Sequence, residues 1–160
     1  MDIIKKLNSA KPERGIVNWR IKLGECAALV SSYHMVVADG NEGLVEANLM
    51  LDPKAKPDEE SYNDAKSKIL TRYETIVENA KYLFTVSYKG LKSVKVKDKV
   101  KVGEHFYNTK YIKPYLKNEN IEVWKNNGVL LLRQSDRDIV VMYCIAEDDD
   151  TINNMEEYKV

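Results

Sequence analysis

Two histidines, two cysteines and a block of lysines are the residues here whose types lend themselves to chemistry. His34 stands beside Tyr33, and His105 follows Gly103 and Glu104 ahead of Phe106. An imidazole titrates near neutral pH and can act as a base or a metal ligand. Neither histidine opens an H-E-x-x-H motif or lies beside a patterned nucleophile, so metal hydrolysis and triad chemistry lack their parts. His34 reads as a helix-surface or interface residue and His105 as a turn or strand-edge residue. Cys26 and Cys144 lie far apart without pairing or metal-ligand spacing, and read as small buried apolar residues. Gly40 and Gly43 lack both the preceding strand and the following lysine of a phosphate loop. The expectation is a chain with no catalytic, cofactor-binding or metal residues.

Charge is the more informative property. The 160 residues carry 25 basic and 25 acidic side chains, for a net charge of zero, but the two signs are segregated. Between residues 81 and 117, ten lysines face only Asp98 and Glu104, whereas residues 118–160 hold four basic and ten acidic groups. Aromatic residues Tyr82, Phe84, Tyr88, Phe106, Tyr107, Tyr111 and Tyr115 interleave with the lysines. Lysines follow a phosphate backbone and rings stack on bases; the plainer reading makes the lysines a solvated face and the tyrosines core. The candidate contact residues for a partner or nucleic acid are Lys92, Lys95, Lys97, Lys99, Lys101, Tyr107, Lys110 and Lys113. A second, acidic surface is expected at Glu147, Asp148, Asp149 and Asp150, in an end segment that reads as a tail, a cover for the lysine block, or a phosphate mimic.

These groups must be held by something, and 44% apolar content suffices for a core. Trp19, Leu23, Cys26, Val30, Tyr33, Val37, Gly40, Leu44, Ala47 and Leu51 recur at alternating spacings of four and three, the seam of a long helix, with a break possible near Asp39 to Gly43. Pro53 and Pro57 end it. A second helix is expected from Asp58, where Asp58, Glu59 and Glu60 favour the positive end of the dipole, with Tyr62, Ala65, Ile69, Tyr73, Ile76, Ala80 and Leu83 as its apolar face. It runs to about residue 90 unless Tyr82 to Tyr88 is already strand. Beyond it, Val94, Val96, Val100 and Val102 alternate with lysines as a strand, and Asn108 to Lys117 reads as a short helix limited by Pro114. Ile121 to Trp124, Val129 to Arg133 and Ile139 to Ala146 form a three-stranded meander joined by hairpin-turn residues. The expected fold class is α+β: a long antiparallel helical hairpin (1–90), a small antiparallel β-rich unit with one inset helix (91–146), and an acidic C-terminal tail (147–160).

Phe106, Tyr111, Ile112, Leu116 and Lys117, then Ile121 to Trp124, Gly128 to Arg133 and Asp138 to Met142, resemble the closing half of the last domain of bacterial sliding clamps. There an F-N-x-x-Y-L-x-x-x-L-K helix precedes a strand, a P-L-L-I-R-like strand and a terminal V-V-M-P strand. Tyr107, Val129 and Tyr143 depart from that pattern. A clamp domain also holds two copies of this half, of which the sequence yields one. The N-terminal region is similar in texture to small phage-encoded proteins found among replication and recombination genes.

The chain has no run near the roughly 18 apolar residues of a membrane span and no signal-peptide pattern at its start, so a cytoplasmic protein without membrane contact is expected, in the host cytoplasm if phage-encoded. The function expected is that of a non-catalytic, phage-encoded binding protein that docks on a host or replication protein, with inhibition of a nucleic-acid-directed host system such as a defence nuclease as its effect. The alternative is a nucleic-acid-binding accessory protein of replication or recombination. Self-association through the helical seam is a third possibility.

Overall fold

The structure, a computed structural model, describes residues 2–11, 18–49, 58–93 and 99–144, the side chains at 91–93 excepted. Among the described residues, ten strands and three α-helices follow one another: α1 (Ile3–Asn8), β1 (Asn18–Leu23), β2 (Cys26–Ser31), β3 (His34–Ala38), β4 (Ala47–Asn48), α2 (Glu59–Asn79), β5 (Lys81–Val86), α3 (Tyr88–Ser93), β6 (Lys99–Val102), β7 (His105–Asn108), β8 (Ile121–Asn126), β9 (Val129–Gln134) and β10 (Arg137–Met142). Two 3₁₀ turns, Thr109–Tyr111 and Lys113–Tyr115, lie between β7 and β8. Eight strands form one antiparallel sheet in the order β4-β1-β2-β3-β10-β9-β8-β5, and β6 and β7 form a separate hairpin.

Among the described residues the expected helical hairpin is therefore absent: residues 18–48 form strands β1 to β4 and the segments between them. Gly40 and Gly43 sit at φ +78° and +86°, in the left-handed region that ends regular structure. The spacings of four and three arose because β2 and β3 are buried on both faces. Ala27, Ala28, Leu29, Met35, Val36 and Ala38 are as inaccessible as the seam residues Val30 and Val37. A strand covered on both sides reads as a continuous apolar run, and almost any period can be picked out of it. True alternation survives in β1, where Trp19, Ile21 and Leu23 face one way and Asn18, Arg20 and Lys22 the other. The described seam residues lie on strands and turns of one sheet, so they present no helical surface for self-association.

The second helix starts where Asp58 predicts. Asp58 Oδ1 accepts the Ser61 backbone N–H at 2.8 Å, and Glu59 and Glu60 occupy the first turn. It stops at Asn79, and Lys81 to Val86 is strand, paired with β8. The β-favouring run Tyr82 to Val86 gains a ladder there that a longer helix would forgo. Asn108 to Lys117 becomes two 3₁₀ turns instead of one helix, because Pro114 supplies no N–H and restrains Lys113. The meander β8–β9–β10 lies close to its expected bounds, with Asn127 at φ 51° in the β8–β9 turn. Residues 94–98 and 145–160, including Val94, Val96 and the acidic end, lie outside the described residues.

Each face of the sheet has its own core. On one, Ile21, Ala28, Val30, Met35, Val37, Leu131 and Val140 pack against Ile69 and Ile76 of α2. On the other, Leu29, Val36, Leu130, Leu132, Ile139 and Val141 are covered by Ile3 and Leu7 of α1, Val100 and Val102 of β6, Tyr107 of β7, and Ile112. Three layers result, with the sheet in the middle. A short helical segment followed by a three-stranded meander occurs twice: α1 then β1–β3, and the 3₁₀ turns then β8–β10. The two meanders meet antiparallel through β3 and β10, Val36 opposite Ile139.

Candidate functional site

The charge pattern of the sequence becomes a spatial one. Among the described residues, the layer formed by 2–11 and 99–117 carries Lys5, Lys6, Lys11, Lys99, Lys101, Lys110, Lys113 and Lys117 against Asp2 and Glu104. The opposite layer, Asp58 with α2, carries Asp58, Glu59, Glu60, Asp64, Glu74 and Glu78 against Lys66, Lys68 and Arg72. A sheet between two covering layers keeps them on the order of 20 Å apart, beyond the screening length of roughly 8 Å in physiological salt. A partner touching one layer therefore senses that layer's sign.

Of the candidate contact residues, Lys99 and Lys101 lie on β6, where they alternate with the buried Val100 and Val102. Lys110 and Lys113 belong to the 3₁₀ turns. Lys92 ends in α3, where its backbone alone is described; Lys95, Lys97 and Glu147 to Asp150 lie outside the described residues. Tyr107 is a core residue with no exposed surface, and its hydroxyl donates to the Gly128 carbonyl at 3.1 Å. The other rings of the block are engaged as well. Tyr111 stacks on His34, 4.5 Å between centroids and 22° between planes, and the Lys110 ammonium stands 4.9 Å from its centroid. Phe106 is buried, with the Lys101 ammonium 5.7 Å from its centroid. Tyr115 stacks on His34 at 6.5 Å. Tyr82 is exposed, but it sits on the edge strand against Trp124, which belongs to the α2-side core.

His34 is not on a helix surface. It is buried on β3, and Ser31 Oγ lies 2.6 Å from its Nδ1. Ser31 Oγ also accepts the backbone N–H groups of Tyr33 and His34 at 3.2 Å. Its own hydrogen is left for Nδ1, which assigns the imidazole proton to Nε2. His105 begins β7 beside the Gly103–Glu104 turn. Burial and then Lys125 hold its pKa below the usual value, and its buried Nδ1 has no hydrogen-bond partner. Cys26 and Cys144 are half-buried and unbonded to one another. Burial, then Asp39 and Glu25, push the Cys26 thiol up, away from the thiolate a nucleophile needs.

Cys26 lines a cleft of about 360 Å³ with Tyr73, Asp39, Glu122, Arg133 and Asp138 on the α2 side. Asp138, 7% exposed, accepts the Tyr73 hydroxyl and both a 3.0 Å and a 3.3 Å bond from Arg133. Around the β9–β10 turn, Arg137 donates to Asp136 at 2.9 Å and to the Tyr115 carbonyl at 2.8 Å, while Lys117 reaches Asp136 at 3.4 Å. The Tyr73 and Arg137 hydrogen bonds tie α2 and the second 3₁₀ turn to the sheet. The sequence reading passed over Asp138, Arg133 and Arg137 because turn residues and strand-end charges look like surface; the signal was an arginine directly following an apolar strand run, as at Leu132–Arg133. Among the described residues, no group of three or more His, Cys, Asp or Glu is placed to hold a metal ion, and no helix is long and apolar enough to cross a membrane.

No family model, curated protein or solved structure matches the chain.

Proposed function

We propose that the chain is a non-catalytic binding protein that docks on a protein partner through its charged layers, in a replication or nucleic-acid-directed setting. The observation that carries this reading is the segregation of lysines and carboxylates onto opposite sides of one sheet. The ionisable groups of the cleft beside Tyr73 support it, since Asp138, Arg133 and Tyr73 are spent on one another. The setting rests on the resemblance to the closing half of a clamp domain. It gains from the repeat of a short helical segment and a three-stranded meander about the β3–β10 pair. Inhibition of a host system such as a defence nuclease would follow if the partner belongs to one. The alternative is a nucleic-acid-binding accessory protein, favoured by the same lysines.

Affinity capture from a nuclease-treated bacterial lysate, on the wild-type chain and on K99E/K101E/K110E/K113E side by side, tests the proposal. A discrete protein held by the wild type and lost from the variant is the expected result. Retention that requires intact nucleic acid would give the layer to the alternative. Identical retention on both columns would remove docking through this layer.

A further inference from the structure

The β8–β9 connection is two residues long, closed by the cross-strand pair Asn126 and Val129, and each of its residues answers a separate demand. Asn127 lies at φ 51°, in the left-handed region that a tight hairpin turn uses and that asparagine enters more readily than most residues bearing a Cβ. Gly128 is set by packing: the Tyr143 ring occupies the place a Cβ there would take, so a larger residue has to displace it. The Gly128 carbonyl accepts both the Tyr143 N–H and the Tyr107 hydroxyl, each at 3.1 Å. Turn conformation and the seat of Tyr143 together build an Asn-Gly pair into the fold, and Asn127 is the one asparagine of the chain that glycine follows. Where glycine follows asparagine, no side chain shields the next backbone nitrogen from the carboxamide carbon, and the two can close into a five-membered ring. Asn127 is exposed, and neither its carboxamide nor the Gly128 N–H finds a hydrogen-bond partner among the described residues. Elsewhere the amides of Asn8, Asn41 and Asn79 donate to backbone carbonyls, and the Asn108 side chain accepts the Lys110 N–H.

We propose that Asn127 is a site of spontaneous covalent modification, converting through a succinimide to aspartyl and isoaspartyl forms, and that the isoaspartyl form loosens the joint at Gly128. The Gly128 nitrogen attacks Asn127 Cγ and bonds to it. The bond from Cγ to the carboxamide nitrogen breaks, and that nitrogen leaves as ammonia with the proton Gly128 gives up. Water then opens the ring. Cleavage between the Gly128 nitrogen and Cγ restores the chain with aspartate at 127, whereas cleavage between that nitrogen and the Asn127 main-chain carbonyl carbon leaves an isoaspartyl link with one extra methylene in the backbone. Both products add a negative charge, and only the second lengthens the path to Gly128. The lengthening acts on the carbonyl at which Tyr107 of β7 and the chain after β10 meet the turn.

Ageing the full chain at mildly alkaline pH and physiological temperature, beside the same chain unfolded in guanidinium chloride, tests the site. Peptide mapping locates the mass gain of about one unit, and an isoaspartyl methyltransferase with a labelled methyl donor counts the isoaspartyl product. In the folded chain, conversion at Asn127 is expected to run at least about tenfold faster than at any other asparagine, and no more than about tenfold slower than in the unfolded chain. Asn127→Gly, which suits the left-handed turn, should abolish the mass gain there. Conversion led by another asparagine, or a folded chain that protects Asn127 by more than that factor, would overturn the site. The joint is read by amide hydrogen exchange on the separated isoaspartyl form. The Tyr143 amide should exchange at least about tenfold faster while Ile139 to Val141 keep their protection, and Asn127→Asp should leave Tyr143 unchanged. Unaltered Tyr143 exchange in the isoaspartyl form would overturn the loosening at Gly128. Equal acceleration in Asn127→Asp would overturn it too, by assigning the effect to charge.

Discussion

Asp138 on β10 is met from two directions: the Tyr73 hydroxyl reaches it from α2, and Arg133 reaches it from β9 at 3.0 Å. One carboxylate thereby fixes the azimuth of the 21-residue helix α2 on the sheet. Ile69 and Ile76, which provide the apolar contact, would tolerate small rotations without such a polar pin.

Removing one side of this junction should cost stability without unfolding the protein. Tyr73→Phe leaves Asp138 its arginine and should lower the unfolding free energy by about 1–2 kcal/mol. Asp138→Ala strands both the phenol and the partly buried guanidinium and should cost about 3 kcal/mol. Urea midpoints with unchanged slopes would measure both; equal losses would mean that Arg133 gains nothing from the carboxylate.

Arg20 is the corresponding clip on the opposite face. Its guanidinium donates to Asn8 O at 2.9 Å, Leu7 O at 3.3 Å and Val45 O at 2.5 Å, closing the end of α1 and the loop after β3 over β1. Arg20→Met should keep the packing and orphan three carbonyls, at a cost of about 2–4 kcal/mol. Amide exchange in residues 3–8 should accelerate more than in β9 and β10; uniform acceleration would show that α1 is held by Ile3 and Leu7 alone.

Alkaline pH should weaken the fold through two phenols. Burial and then Asp138 raise the Tyr73 pKa, and burial raises that of Tyr107, above the ordinary value near 10. A group with a raised folded-state pKa lends its full stabilisation below the unfolded value and loses it as pH climbs through the folded one. Urea midpoints should therefore fall above about pH 10, less steeply in Tyr73→Phe. At the acid end the sign reverses: Arg137 holds the Asp136 carboxyl below its usual range, so its contribution is present above about pH 4 and is lost as pH falls further.

His34 gives a spectroscopic prediction. With Ser31 donating to Nδ1 at 2.6 Å, long-range nitrogen-15 spectra at neutral pH should show the Nε2–H tautomer. Ser31→Ala should cost about 1–2 kcal/mol and release the Tyr33 and His34 amides from protection. A spectrum of the Nδ1–H form would reverse the direction of the hydroxyl.

Much of the C-terminal half was legible. Asn126 to Gly128 and Ser135 to Asp138 carry turn chemistry, and the strands between them fall close to where alternation places them. The start of α2 was equally plain, since Asp58 and its following glutamates are a local signal. The N-terminal half was misread because Ala27 to Val30 and Met35 to Ala38 are covered on both faces, which erases the period of two. Tyr107, offered as a contact residue, is core: an aromatic beside lysines looks the same in sequence whether it faces solvent or the sheet.

By itself, the sequence determined the charge blocks, the cap at Asp58, the turns of the last meander and the stop imposed by Pro114, all of which depend on residues close together along the chain. Tertiary structure decided that β3 and β10 pair across about a hundred residues, that the lysines and the α2 carboxylates end on opposite sides of one sheet, and that Tyr107 turns inward. Those outcomes follow from which apolar faces find each other, and long-range burial leaves no local trace to read.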